Sequence, residues 1–219
     1  MAAHEFAPWP KTKRLFRDIV VTEKIDGTNA AIQISKVRDD ELTATDAGRL
    51  TYVDRQWYGL SAQSRTRIIT PGKTTDHYGF AGWVYDNAAD LVCILGEGVH
   101  FGEWWGQGIQ RRYDMPGKVF SLFNTDRWFK TGEDGLDSVA TRAELSSLAG
   151  QIRAVPVLYS GTFREASVVN AIDTLHLKGS VAAPGFMNPE GICVYHTQTR
   201  NVFKVTLNNN DSGKWEAAA

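Results

Sequence analysis

The stretch Val21-Thr22-Glu23-Lys24-Ile25-Asp26-Gly27-Thr28-Asn29 constrains this chain more than any other. An apolar run from Asp18 to Val21 leads into Lys24. Polar and glycine residues follow, and a second alternating run spans Ala30 to Ile34. That order reads as strand, tight connection, strand, with the lysine held at the connection. A lysine on a rigid hairpin base can be aimed at a ligand, and it loses its proton where the surroundings disfavour its charge. Taken alone it is a surface lysine in a turn. The rest of the chain decides between the two.

The remaining periodicity predicts strands near 18–23, 30–36 and 41–45, then a loop-rich stretch over 46–75 with one ordered segment at 64–69. A helix is expected over 76–91 with Asp76 as its cap, then strands at 91–95, 99–105 and 118–124. Thr141 and Glu144 have the spacing of a capping box, which predicts a short helix over 141–148. A strand at 155–159, a helix over 163–175, a loop at 179–189 and strands at 192–195 and 202–207 complete the expected order. The polar tail at 208–219 is expected to fray, apart from Trp215. Strands outnumber helices and mostly follow one another without helical crossovers. That is the pattern of an α+β fold with largely antiparallel sheets.

Composition sets the outer bounds. With 219 residues, 42% hydrophobic and 22% charged, the chain is expected to be soluble and globular with a real core. No apolar run approaches the roughly 20 residues of a membrane span, and Met1 to Phe6 lacks the pattern of a signal peptide. A cytoplasmic location is therefore expected. Cys93 and Cys193 sit in apolar runs without metal spacing and read as buried free thiols. His77, His100, His176 and His196 show no ligand spacing and receive no role. The net charge of −1 leaves nucleic acid open as a partner, because local clusters can supply the cations. Lys11, Lys13, Arg14, Arg17, Arg65, Arg67, Arg111 and Arg112 are the candidates for phosphate contacts.

Three further stretches bear on Lys24. Phe101-Gly102-Glu103-Trp104-Trp105-Gly106 places a carboxylate between a glycine and an aromatic on a strand. Glu190-Gly191-Ile192-Cys193-Val194 opens an apolar strand with a carboxylate. Phe203-Lys204-Val205 puts a second lysine in an apolar strand, on the face opposite Phe203. Each is weak alone; their order along the chain is not. Lys24-Ile25-Asp26-Gly27, Ser64-Arg65, Phe101-Gly102-Glu103, Val119-Phe120-Ser121-Leu122-Phe123-Asn124, Glu190-Gly191-Ile192 and Phe203-Lys204-Val205 form an ordered series. The series resembles the motifs of the covalent nucleotidyltransferase superfamily of polynucleotide ligases and mRNA capping enzymes. Within it the chain most resembles the RNA ligase 2-like branch, from about Arg17 to Leu207.

The resemblance implies a nucleotidyltransferase (ATP-grasp-like ligase adenylation) domain with largely antiparallel sheets flanked by helices. It implies an ATP-dependent RNA ligase that forms a lysyl-adenylate on Lys24, passes AMP to a 5′-phosphate end and seals that end to a 3′-hydroxyl, most simply in RNA repair. A capping or DNA-joining enzyme, or a nucleotide- or nucleic-acid-binding module without turnover, are the alternatives. The attacking amine must be neutral, whereas a free lysine with a pKa of roughly 10.4 is almost wholly charged at neutral pH. A nearby like charge such as Lys204, with partial burial, would favour the neutral form. Mg2+ or Mn2+ would offset the triphosphate charge.

By the same resemblance, Glu190 would position the metal and Lys204 would contact the α-phosphate. Glu103 would hold a ribose hydroxyl, Arg65 would reach phosphate, Phe123 would stack on the base, and Glu23 would lie near the base edge. Two departures from the family pattern are local: Asn124 stands where an aspartate is usual, and Thr206 where a second lysine is common. A third is global. The last motif lies close to residue 219, so residues 1–219 are expected to form a single adenylation domain with no separate C-terminal or OB domain. A partner protein or self-association would then replace the missing grip on RNA.

Overall fold

The computed structural model describes residues 5–41, 48–128 and 138–208. Two sheets carry the architecture. The smaller contains β1 (Asp18–Lys24), β9 (Val157–Thr162), β10 (Gly191–His196) and β11 (Asn201–Thr206), in the order β11-β10-β1-β9, all antiparallel. The larger contains β2 (Thr28–Val37), β3 (Arg49–Val53), β4 (Gln56–Ser64), β6 (Gly98–Gly106), β7 (Lys118–Leu122) and β8 (Ile152–Ala154), in the order β3-β4-β2-β6-β7-β8. A short β5 (Ile68–Ile69) pairs with β4. Only the β7–β8 pair is parallel among the described strands. The fold class is α+β with antiparallel-dominated sheets, as the strand-rich order implies.

Each sheet buries one face under helices. On the large sheet, Ala30, Ile32, Ile34, Leu60, Ala62, Trp104, Phe120, Leu122 and Ile152 alternate onto the covered face. Against them pack α1 (Phe80–Asp86), α2 (Ala88–Leu95), α3 (Thr125–Trp128) and α4 (Val139–Glu144). On the small sheet, Ile19, Val21, Ile192 and Val194 pack under α5 (Glu165–Lys178), through Ala171 and Leu175. A third cluster, with Ile25, Trp105, Tyr113, Val119 and Ala182, joins the sheets beside the β1–β2 connection. That connection is tight. A Cβ on Gly27 would meet the Trp104 carbonyl oxygen at 2.5 Å and the Trp105 Cβ at 2.7 Å, so only glycine lets Lys24 sit this close to β6.

Several elements depart from the sequence expectation. Residues 49–53 and 56–64, expected as loop, form the β3–β4 hairpin. Its turn, Asp54-Arg55, has φ of 47° and 63°. Two residues with positive φ suit the right-handed twist of a hairpin, but Asp-Arg lacks the glycine that signals such a turn. Residues 91–95, expected as a strand, lie in α2, where Ala88, Leu91, Val92 and Leu95 are buried at helical spacing. Asp76 does cap: its carboxylate accepts from the backbone N–H groups of Ala81 and Gly82 at 2.8 and 3.0 Å. The helix it caps begins at Phe80, however, rather than at 76. The N-cap of α4 is Ser138, which accepts from the Thr141 N–H at 3.1 Å, three residues before the expected start. The strand expected at 41–45 gives way to a 3₁₀ turn, Asp39–Glu41, and its remainder lies outside the described residues. Trp215 and the tail beyond 208 lie outside them as well. Cys93 is exposed rather than buried, because it falls on the outer side of α2. No described helix is long and apolar enough to cross a membrane.

Candidate nucleotide-binding site

Lys24 ends β1 on the face turned away from α5. Alternation puts Ile19, Val21 and Glu23 under the helix and Val20, Thr22 and Lys24 on the opposite face. Register carries this face across the sheet. Lys24 lies opposite Gly191, Thr22 opposite Cys193, and Cys193 opposite Lys204. Lys204 therefore shares the face of Lys24, two strands over across β10 and one pleat along, and it is exposed. Glu190 immediately precedes β10 and forms an ion pair with Lys24, the two side chains being 16% and 24% exposed. The second oxygen of Glu190, Oε2, is buried and without a hydrogen-bond partner.

The large sheet supplies the facing wall. Asn29, Glu103, Ser121 and Arg153 lie side by side in one row across β2, β6, β7 and β8. The Gly27 N–H donates to Glu103 Oε1 at 3.1 Å, which binds the β1–β2 connection to β6; β1 and β2 lie in different sheets and form no hairpin. Phe101 and Phe123 share the face of Glu103, and the Phe123 N–H donates to the Phe101 carbonyl at 2.9 Å. The two residues are 51% and 41% exposed, and they stand open beside the carboxylate. A cavity of about 380 Å³ lies at this junction. Lys24, Asp26, Gly27, Thr28, Asn29, Ser64, Arg65, Thr66, His77 and Glu103 line it. Arg65 reaches it from the exposed turn between β4 and β5.

Of the residues singled out from sequence, Lys24, Glu103 and Arg65 line the cavity, and Glu190 is tied to it through its ion pair with Lys24. Phe123 and Lys204 stand on the flanking faces without lining the cavity. Glu23 is elsewhere. It is 1% exposed and points under the small sheet, where it accepts from Ser180 Oγ at 2.5 Å and from the Val181 and Ala182 N–H groups at 2.8 Å each. It holds the 180–182 loop and does not face the cavity. Arg111 is also not a free surface cation: its guanidinium is bonded to Asp26 and to the 188–189 backbone. Two cavity groups carry no role in the sequence reading. Asp26 stands inside the Lys-Ile-Asp-Gly motif. His77, whose Nε2 lies 2.7 Å from Thr28 Oγ1, has no neighbouring signal, because Thr28 is 49 residues away.

Burial pushes the Glu103 carboxyl up to about 7, against the attraction of Lys24 and the Gly27 N–H; the Glu190 and Asp26 carboxylates reinforce the rise. Glu103 thus holds a proton in the folded state that it loses in the unfolded chain near pH 4.5. Between those values the native state binds more protons, so stability falls as pH rises from about 4.5 to about 7. Glu103→Gln removes this dependence. Urea titrations at pH 5 and pH 7.5 should show wild type losing about 2–3 kcal/mol relative to the variant over that interval. Parallel pH profiles would contradict the assignment.

The donor set also bears on a metal ion. Among the described residues no three His, Cys, Asp or Glu side chains are grouped to hold one. The free Glu190 Oε2 suits instead a cation held by one carboxylate oxygen, with phosphate oxygens and water completing its shell, as Mg2+ is commonly bound.

The model of the RNA ligase family matches residues 17–206. The chain belongs to the RNA ligase family. No curated protein matches it. Among solved structures it is similar to a Naegleria gruberi RNA ligase variant without ligand, at 16% identity and a TM-score of 0.49, over 88% of this chain and 50% of that one. A second variant of the same ligase, solved with ATP and Mn, gives 14% identity and 0.49 over 89% and 51%. A third, with AMP and Mn, gives 16% and 0.49 over 89% and 51%. This member of the family thus spans about half the length of those ligases.

Proposed function

We propose that this RNA ligase domain uses Lys24 to take AMP from ATP and passes it to the 5′-phosphate end of an RNA, which is then joined to a 3′-hydroxyl. The observation that carries the reading is the Lys24–Glu190 ion pair at a cavity also lined by Glu103 and Arg65. A lysine amine with a partnering carboxylate, a ribose-binding carboxyl and a phosphate-binding arginine is what nucleotidyl transfer needs at one point in space.

In the first step Lys24 Nζ attacks the α-phosphorus. The bond from that phosphorus to the bridging oxygen of the β-phosphate breaks, pyrophosphate leaves, and a phosphoramidate forms. The ammonium must first lose a proton, and the carboxylate in contact with it is Glu190. Arg65 neutralises phosphate charge from the cavity wall, and Lys204 lies on the same sheet face two strands away, on β11. Glu103, half-protonated near pH 7, can accept from Gly27 and still offer its other oxygen to a ribose hydroxyl. Phe123 and Phe101 offer flat faces to the base. A divalent cation, Mg2+ or Mn2+, held through Glu190 would polarise the α-phosphoryl group. In the second and third steps the nucleotide moves to a 5′-phosphate oxygen, and a 3′-hydroxyl displaces AMP.

The test is incubation with α-labelled ATP, or GTP in parallel, plus Mg2+ or Mn2+, followed by denaturing electrophoresis. A label that stays with the protein under ATP is expected, as is its transfer to a 5′-phosphorylated RNA nick. Absence of label with either nucleotide and either metal would refute the reading. Label that never leaves for a polynucleotide end would refute the ligase part of it.

A further inference from the structure

The loop between β6 and β7, residues 107–117, grips the β1–β2 connection after Lys24 and the segment leading into the glutamate strand at once. Arg111 Nε donates to Asp26 Oδ2 at 3.0 Å. Its Nη1 donates to the Asn188 carbonyl and to Asn188 Oδ1 at 3.0 Å each, and to the Pro189 carbonyl at 3.4 Å. Asp26 lies two residues after Lys24, and Pro189 lies one before Glu190. One guanidinium therefore ties together the backbones that carry both members of the ion pair. Tyr113 adds a second hold, its hydroxyl accepting from the Asp26 N–H at 2.8 Å.

The loop is built for this task. Gln110, Arg112, Tyr113 and Asp114 all have φ between 43° and 62°, a region that side chains seldom occupy. Surrounding packing must hold such a run in place. Here Ile109 and Tyr113 anchor it, both essentially fully buried, with Tyr113 edge-on to Trp105 at 5.1 Å. The Arg111 side chain is 18% exposed, and its Nε and Nη1 donors face protein acceptors rather than solvent.

We infer that Arg111 is a positioning residue for nucleotidyl transfer, acting through Asp26 and the 188–189 backbone to hold Lys24 against Glu190. The consequence for rate rests on the function proposed above; the clamp itself does not. An arginine is suited because its planar fork serves a carboxylate and a peptide carbonyl at once, where a lysine offers one point charge. Its contribution is geometric. Loosening it should lower the saturating rate of Lys24 labelling on the order of 10²-fold, the effect of a misplacement of about 1 Å, while leaving nucleotide affinity unchanged.

The experiment has two arms on Arg111→Met, Arg111→Lys and Arg111→Ala. In the first, amide hydrogen exchange is followed without nucleotide. Faster exchange at 26–28 and at 190–191 together, with the sheet cores unchanged, is expected; exchange raised in neither segment, or in one alone, overturns the clamp. In the second, single-turnover labelling with ATP is measured. A fall in the saturating rate, restored in Arg111→Ala by added guanidinium, is expected. A loss confined to nucleotide affinity would make Arg111 a phosphate ligand and overturn the inference. A wild type that takes no label would sink the proposed function and leave the clamp to be decided by the exchange arm. Asp26→Asn combined with Arg111→Met should cost no more than the larger single effect, since both break one linkage.

Discussion

Lys24→Arg and Lys24→Met will both abolish the denaturation-resistant nucleotide label, and they will differ in stability. Neither side chain can attack phosphorus: guanidinium stays protonated, and a thioether carries no transferable proton. Removing the proposed nucleophile from an enzyme whose groups act as a unit costs on the order of 10⁶ in rate, far below detection in a labelling assay. The two variants separate chemistry from folding. Arginine keeps a cation against Glu190, so the ion pair survives in altered geometry. Methionine leaves the Glu190 carboxylate, 16% exposed, without a counter-charge and with both oxygens unpartnered. Leaving such a group unsatisfied costs about 1–3 kcal/mol. Lys24→Met should therefore unfold at lower urea concentration than wild type, and Lys24→Arg at nearly the same. Label persisting on either variant would mean that another residue is the nucleophile. Equal stabilities would mean that the ion pair contributes nothing net, the usual result for an exposed pair.

The parts of the site that are legible in the sequence are those set by neighbours along the chain. Lys24, Asp26 and Gly27 are read together because a tight strand connection fixes their mutual geometry, and Gly27 is required by the approach of Trp104. Glu103 and Phe123 fall on one face because period-two alternation and a short β6–β7 register make them do so. The cross-chain pairings are not legible. Arg111 meets Asp26 across 85 positions and Asn188 across 77, and nothing local distinguishes a cation already held by protein acceptors from a free one. From sequence, Arg111 therefore reads as a phosphate ligand. The β3–β4 hairpin escapes for a different reason: Asp54 and Arg55 adopt positive φ without glycine, so the turn has no composition signal. Glu23 departs from its expected place because adjacency to Lys24 suggests a shared site, whereas alternation along β1 puts adjacent side chains on opposite faces. The same period-two rule, applied one residue earlier, sends Glu23 under the sheet.

That placement makes Glu23 the largest stability determinant near the site. Its carboxylate is 1% exposed and organises residues 180–183. Ser180 Oγ donates to Oε1, the Val181 and Ala182 amides donate to Oε2, and Ser180 Oγ in turn accepts from the Ala183 N–H at 2.9 Å. Glu23→Ala strips the acceptors from two backbone amides and a hydroxyl and leaves a void. Unsatisfied buried donors cost about 1–3 kcal/mol each and do not add fully, so a loss of about 3–5 kcal/mol is expected. Glu23→Gln should cost far less, about 1 kcal/mol. Its oxygen can occupy the Oε2 position and accept both amides, while its amino group donates to Ser180 Oγ, whose hydroxyl proton then turns elsewhere. The pH response is common to the two variants and reports on the wild-type carboxyl. Burial raises the Glu23 carboxyl above its ordinary 4.5, more than the Ser180, Ala182 and Val181 donors and the Arg153 charge lower it. The native state therefore keeps this proton longer than the unfolded chain does, and the wild type loses stability as pH rises above about 4.5. Neither glutamine nor alanine titrates, so both deficits should shrink with rising pH by the same amount, that of Glu23→Ala staying the larger throughout. Urea titrations at pH 5 and pH 8 measure both. A Glu23→Ala protein as stable as wild type would show that the 180–183 loop is held by its own packing, through Ala182, Ala183 and Phe186 against Tyr113, and not by the carboxylate.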